Sequence, residues 1–171
     1  MRRRTEELTT QAAAPLAVLL FDSQSRTCAL PLSDVVEIMR PLPIEPVAGA
    51  PTFVRGVSVV RGQPIPVVDL AVLLAGRSEG SPGRFVVVRS GERRIALAVD
   101  SVQGKREIDP AALESLPTLL GTAPSEIGES VGLLDQRLLT CLRAGRVLFD
   151  EAWQAIEDSG QGPSNTPAGA R

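Results

Sequence analysis

The sequence holds no histidine. Ser-His-Asp and Cys-His catalysis, His-ligated zinc and haem, and imidazole acid–base chemistry are excluded with it. Aromatic residues are nearly missing too: no tyrosine, four phenylalanines and one tryptophan, together 3% of the chain. A small barrel that binds single-stranded nucleic acid stacks bases on aromatic side chains, and this chain has no such platform. Charge does not compensate, since 18 Lys and Arg against 20 Asp and Glu leave a net charge of −2 and no field that gathers phosphates. Arg2, Arg3 and Arg4, and the pair Arg93 and Arg94, read as solvated charges. No nucleic-acid partner is expected.

Cysteine is scarce as well. Cys28 and Cys141 stand far apart with no C-x-x-C spacing, which reads as two small buried hydrophobes rather than a redox or metal pair. No apolar run approaches the roughly 20 residues of a membrane helix, and the longest, 12–21, contains Pro15. Glu6 and Glu7 follow the basic start and no cleavage site stands out, so neither a signal peptide nor membrane insertion is expected. The expectation is a cytoplasmic chain with no catalytic residues, no metal and no cofactor.

What the chain has is apolar content, 43% of 171 residues, punctuated by 15 glycines and 14 prolines. That is enough for one domain or two very small ones, since a domain of about 150 residues hides roughly 68–70% of its unfolded surface. Residues 1–14 and 158–171 carry little to bury and read as disordered tails around a folded segment 15–157. Inside it, 16–21 and 27–32 flank a turn-rich stretch and form a hairpin, after which Ser33 or Asp34 caps a short helical turn through Val35 and Val36. Three prolines make 37–46 an edge segment or loop. Residues 55–60 and 65–68 are strands, and Asp69 caps a helix over 70–75 that Gly76 ends.

The Gly, Ser and Pro content of 77–83 reads as a linker, beyond which the strand pattern restarts at 85–89 and 93–99 and runs on through 102–108. Asp109 and Pro110 open a helical turn, 113–124 reads as a long loop, and 131–134 and 138–142 form a last strand pair. Leu148, Ala152 and Ile156 share one side of a terminal helix. Many short strands with few helices argue for small barrels or a sandwich, and the restart argues for two units.

The densest segment is 51–70, PTFVRGVSVVRGQPIPVVDL, which contains no nucleophile beside a base. Pro64 and Pro66 withhold two N–H donors from any ladder, so this edge is built to be covered by something other than its own sheet. With VVEI at 35–38, RGQPIPVVDL at 61–70 and AVDSV at 98–102, the chain resembles the chemotaxis coupling protein (CheW) family. The resemblance implies a mostly β fold of two SH3-like five-stranded β-barrel subdomains with short helices. The first would take about 15–76 plus C-terminal elements and the second about 84–142. It also implies an adaptor that joins the cytoplasmic tip of methyl-accepting chemoreceptors to the regulatory domain of a CheA-type histidine kinase.

Carried over residue by residue, the resemblance places Val35, Glu37, Gly56, Arg61 and Val102 at a receptor-binding groove, with Glu37 and Arg61 as a salt-bridged pair. Read from the residues alone, Glu37 and Arg61 are two solvated charges on a strand edge, and the valines are core. Asp69 and Asp100 match the family pattern and read as structural, one capping a helix and the other accepting backbone N–H bonds at a corner. Three positions depart from the family pattern: Val59, Lys105 and Glu129. The same residues leave open a CheW-like regulatory or competitor module of a parallel pathway, in pili or development. An aspartyl hydrolase built on Asp69 and Asp100 is the enzyme alternative, but neither Asp stands in a D-T-G or D-S-G loop. The D-S-G at 158–160 opens the polar tail.

Overall fold

Two facing apolar sets along the first strand dictate the architecture. In a computed structural model, which describes residues 14–115, 128–135, 137–143, 153–154 and 156–157, strand β1 (Leu16–Ser23) buries Val18 and Leu20 on one side and Leu19 and Phe21 on the other. A strand buried on both faces reads as an unbroken apolar run, which is why 16–21 shows no alternation. β2 (Arg26–Pro31) returns antiparallel to β1, with Gln24 at φ 53 in the turn. The two tails expected at 1–14 and 158–171 fall almost wholly outside the described residues. So does most of the terminal helix, of which Trp153, Gln154, Ile156 and Glu157 are described.

The expected helical turn lies one step earlier than its cap residues suggested. Leu32–Asp34 forms a 3₁₀ turn closed by the Val35 N–H donating to Leu32 O, and Val35 and Val36 belong to β3 (Val35–Met39). β-Branched residues favour the extended state, and here they gain a partner in β6 (Arg84–Ser90). β4 (Val54–Val60) and β5 (Gln63–Asp69) meet at Arg61 and Gly62, both at positive φ, 49 and 79. That two-residue turn matches the right-handed twist of a hairpin. Helix α1 (Leu70–Ala75) runs from its Asp69 cap to Gly76 at φ 72, as the sequence predicts.

β7 (Arg93–Val99) and β8 (Ser101–Ile108) follow, then a 3₁₀ turn at Pro110–Ala112 whose cap is Asp109. The stretch read as a loop from 113 begins instead with a short strand, β9 (Leu113–Ser115), because the edge of β10 (Gly128–Leu134) is open to pair with it. β11 (Arg137–Leu142) is the last strand among the described residues.

These strands form a six-stranded sheet, ordered β8-β1-β2-β11-β10-β9, and a five-stranded sheet, ordered β3-β6-β7-β5-β4. The division expected near Gly83 is corrected: the first sheet takes both ends of the chain and the second takes the middle. Gly83 is no linker glycine. Its N–H donates to Val99 O at 2.9 Å, and a Cβ on it would stand 2.1 Å from Asp100 O, so close backbone approach demands the glycine. The opening hairpin finds its remaining partners late in the sequence, where β1 pairs with β8 and β2 lies parallel to β11.

Each sheet wraps its own core, and a third core lies between them. Val18, Leu20, Ala29, Ile108 and Leu139 fill the first, Ile65, Val67, Phe85, Val87 and Ala96 the second. Phe21 and Leu30 from one sheet meet Val86, Val88, Ile95 and Leu97 from the other in the seam. Cys28 faces this seam while Cys141 faces the first core, one register step away on the neighbouring strand. Their side chains thus point to opposite sides of the sheet, and both cysteines are buried and outside any disulfide. Burial pushes the Cys28 thiol up to about 12. A thiol reagent at neutral pH is expected to label neither cysteine in the native protein and both in denaturant; rapid native labelling of Cys28 would overturn this packing.

Candidate functional site

The tight turn after β4 sets the site. At φ 49, Arg61 projects toward β3, and its guanidinium forks onto Glu37: Nε lies 3.0 Å from both Oε1 and Oε2, and Nη2 2.9 Å from Oε2. β3 and β4 are the two outer strands of the five-stranded sheet, so this pair ties one outer strand to the turn that ends the other. Of the two readings open in the sequence, the paired one is what the structure holds. The carboxylate is mostly covered and the guanidinium is not, with side-chain exposures of 17% and 74%.

Hydrogen bonds from Arg61 hold the Glu37 carboxyl below its ordinary range, against a smaller opposing effect of burial, and the same bonds raise Arg61. A carboxyl lowered by folding stabilises the native state above its unfolded pKa, and that contribution is lost as pH falls through the lowered folded value. Loss of the fork is therefore expected on the acid side of the usual carboxylate range, and Arg61 Nε–H exchange measured by NMR should accelerate there.

Two apolar side chains stand exposed near the fork in sequence: Ile38 beside Glu37 at 43%, and Val59, two residues before Arg61, at 63%. Val35 and Val102 are partly buried and both pack on the seam core between the sheets. The structure therefore brings Val35 and Val102 to one core and Glu37 to Arg61, with β3 carrying one member of each couple. Gly56 is a different case. It is buried beneath Ile44 and Glu45, where a Cβ would meet Glu45 O at 2.0 Å. Its surroundings are this chain's own backbone.

Asp69 and Asp100 hold structure. Asp69 Oδ1 accepts the N–H groups of Ala71 and Val72 at 3.0 and 3.1 Å, and Oδ2 accepts Arg55 Nε at 2.7 Å. Both Asp69 oxygens are thus engaged by N–H donors, and different bonds hold Asp100. The latter accepts the Gln24 N–H, and its own N–H donates to Asp22 O at 3.0 Å.

Sequence reasoning missed two contributors. Arg55 completes Asp69's bonding and reaches Ser78 Oγ at 3.4 Å, and only its place opposite a helix cap could have signalled this. Arg93, read as a solvated charge, stacks over Trp153 at 4.7 Å from the ring centroid and pairs with Glu157 at 2.9 Å. These residues border an open groove of about 1130 Å³ whose other wall is Pro64, Ile65 and Pro66. The edge expected at Pro64 and Pro66 is corrected: β5 lies between β7 and β4 in its sheet, both prolines are paired with β4, and only Val67–Asp69 reach β7, so the prolines front this groove on one side.

The profile of the CheW-like domain matches residues 17–152. A chemotaxis protein CheW from Klebsiella aerogenes is 24% identical over 142 residues, covering 82% of this chain and 86% of that one. One from Helicobacter pylori is 25% identical over 122 residues, 70% of this chain and 73% of its own. A stretch of the chemotaxis protein CheA from Klebsiella aerogenes is 32% identical over 111 residues, which is 59% of this chain and 16% of that protein. Among solved structures, the scaffolding protein TtCheW from Thermoanaerobacter tengcongensis superposes with a TM-score of 0.73 at 20% identity, over 89% of this chain and 96% of that one, and so shares the fold. With the profile spanning most of its length, the chain belongs to the family of CheW-like domains.

Proposed function

We propose that this chain is a non-catalytic cytoplasmic adaptor of chemotaxis or chemotaxis-like signalling, coupling chemoreceptors to a CheA-type histidine kinase. The observation that carries this reading is the CheW-like profile over residues 17–152, together with 24% identity to a chemotaxis protein CheW across 86% of that protein. The fork of Arg61 on Glu37, with Val35 and Val102 on the seam, is where the receptor tip would dock. An exposed arginine fixed by a covered carboxylate, with apolar side chains nearby, is a preorganised anchor of the kind that dominates interfaces. Gly56 serves that face indirectly, by seating the segment at Ile44 and Glu45.

Calorimetric titration of the protein into the kinase regulatory domain, and separately into a receptor-tip fragment, tests this. Saturable binding to both is expected. Arg61→Glu should weaken the receptor at least tenfold and leave the kinase domain unaffected, with a modestly lowered melting temperature because the covered Glu37 then faces a second carboxylate; the exchange Glu37→Arg with Arg61→Glu should recover part of both losses. Unaltered receptor binding by Arg61→Glu would remove the fork from the site, and no binding to either partner would end the adaptor reading. The higher identity to the kinase stretch favours a second reading, a module that competes with the kinase's own domain at the receptor. Added to a receptor–kinase assembly, an adaptor raises kinase activity and a competitor lowers it.

A further inference from the structure

The far end of the first sheet carries a feature that the receptor-docking fork does not use. Two adjoining concavities, of about 190 and 400 Å³, meet at Thr27, Arg137 and Leu138. Arg26 borders the larger one and Arg106 the smaller, so three arginines surround Leu138, an apolar side chain left 63% exposed. The acid among their lining residues is Asp135, 3.8 Å from Arg106 and itself 76% exposed. Asp22, just behind, is already occupied, accepting from Thr27 Oγ1, Ser101 Oγ and Gln103 Nε2. Among the described residues, no carboxylate pairs with Arg26 or Arg137.

This excess of positive charge sits on a chain of net charge −2. It is local, and it surrounds an apolar centre. The arrangement is also fixed: β2 and β11 lie parallel here, with Leu139 opposite Thr27, so Arg26 and Arg137 are carried by neighbouring strands rather than by a loop. Arginine around a desolvated apolar contact is the composition of a protein-binding hot spot, and unpaired guanidinium groups select carboxylates that fork onto them.

We propose that this face docks an acidic protein segment in which carboxylates flank one apolar side chain, the apolar group covering Leu138 and the carboxylates reaching Arg26 and Arg137. The surface goes beyond the adaptor reading and stands whether or not that reading holds.

The probe is a fluorescein-labelled heptapeptide with two acidic residues on each side of a single leucine, titrated against the full chain by anisotropy. Saturable binding that weakens with added salt is expected. Arg26→Glu combined with Arg137→Glu should weaken it at least tenfold and gain binding to the same peptide with lysines for the acids. Leu138→Ser should weaken it several-fold, while Arg84→Glu, on the other sheet, should not. All the altered side chains are exposed, and unchanged melting curves would confirm that the variants fold. No saturation, equal binding of a peptide with serine for leucine, or indifference to the double reversal would each overturn the proposal. Displacement by a single-stranded oligonucleotide more readily than by unlabelled peptide would overturn it in favour of a nucleic acid.

Discussion

Gly56→Ala is expected to cost about 3–6 kcal/mol and to leave much of the protein unfolded at moderate urea. Two independent effects act at this position. The backbone sits at φ 142, a region that side chains other than glycine enter only with strain of about 1–3 kcal/mol. A Cβ would also stand 2.0 Å from Glu45 O and 2.7 Å from its carbonyl carbon, so the segment at Ile44 and Glu45 must lift away. Lifting it breaks the reciprocal bonds between Glu45 and Val57, 2.8 Å in each direction, each worth about 0.5–1.5 kcal/mol. It also uncovers one side of the second core, where Leu42 and Ile44 pack.

Against a total stability of about 5–15 kcal/mol, that loss is a large fraction. Gly62→Ala is the control. Gly62 also has positive φ, at 79, but nothing lies within 4 Å of its Cβ position, so that variant should lose only about 1–2 kcal/mol. Equal urea midpoints for the two variants would show that close approach at Gly56 contributes nothing. A folded Gly56→Ala that loses receptor binding would, by contrast, put Gly56 in the groove itself.

Local chemistry was legible in the sequence, and non-local pairing was not. The Asp69 cap and the Gly76 stop are settled by residues within a few positions of one another, and both stand where the sequence put them. The partners of β1 depend on which apolar faces remain uncovered after the middle of the chain has folded. No local signal announces that Leu19 lies opposite Lys105. The Gly, Ser and Pro run at 77–83 has the composition of a linker because loops and linkers share it. At the site, the fork of Arg61 on Glu37 was legible through the family pattern. Arg55 was not, because a strand arginine beside a helix cap looks like any half-exposed charge until the fold closes over it.

Asp69→Ala is expected to lose about 3 kcal/mol, roughly 6–12 °C in melting temperature for a chain of this size. Asp69 is 4% exposed, and its carboxylate gathers three N–H donors from two directions. Removing it loses a helix cap, about 0.5–2 kcal/mol, and strands two N–H groups at the start of α1. It also releases Arg55. Breaking a fully buried ion pair costs about 3–5 kcal/mol, but the Arg55 side chain is 28% exposed and can regain water, which reduces that part. Asp69→Asn separates the contributions, since its amide oxygen still caps α1 while the charge is gone; about 1–2 kcal/mol is expected. Arg55→Ala keeps the cap and leaves a carboxylate with two N–H bonds but no counter-charge, so it should fall between these variants. If the double variant Asp69→Ala with Arg55→Ala loses as much as the two single losses added together, the pair is not coupled and the cap alone explains Asp69. A loss smaller than that sum assigns the difference to the ion pair. That pair would then hold β4 to the start of α1, whose Leu70 and Leu74 fill the seam on which Val35 and Val102 pack.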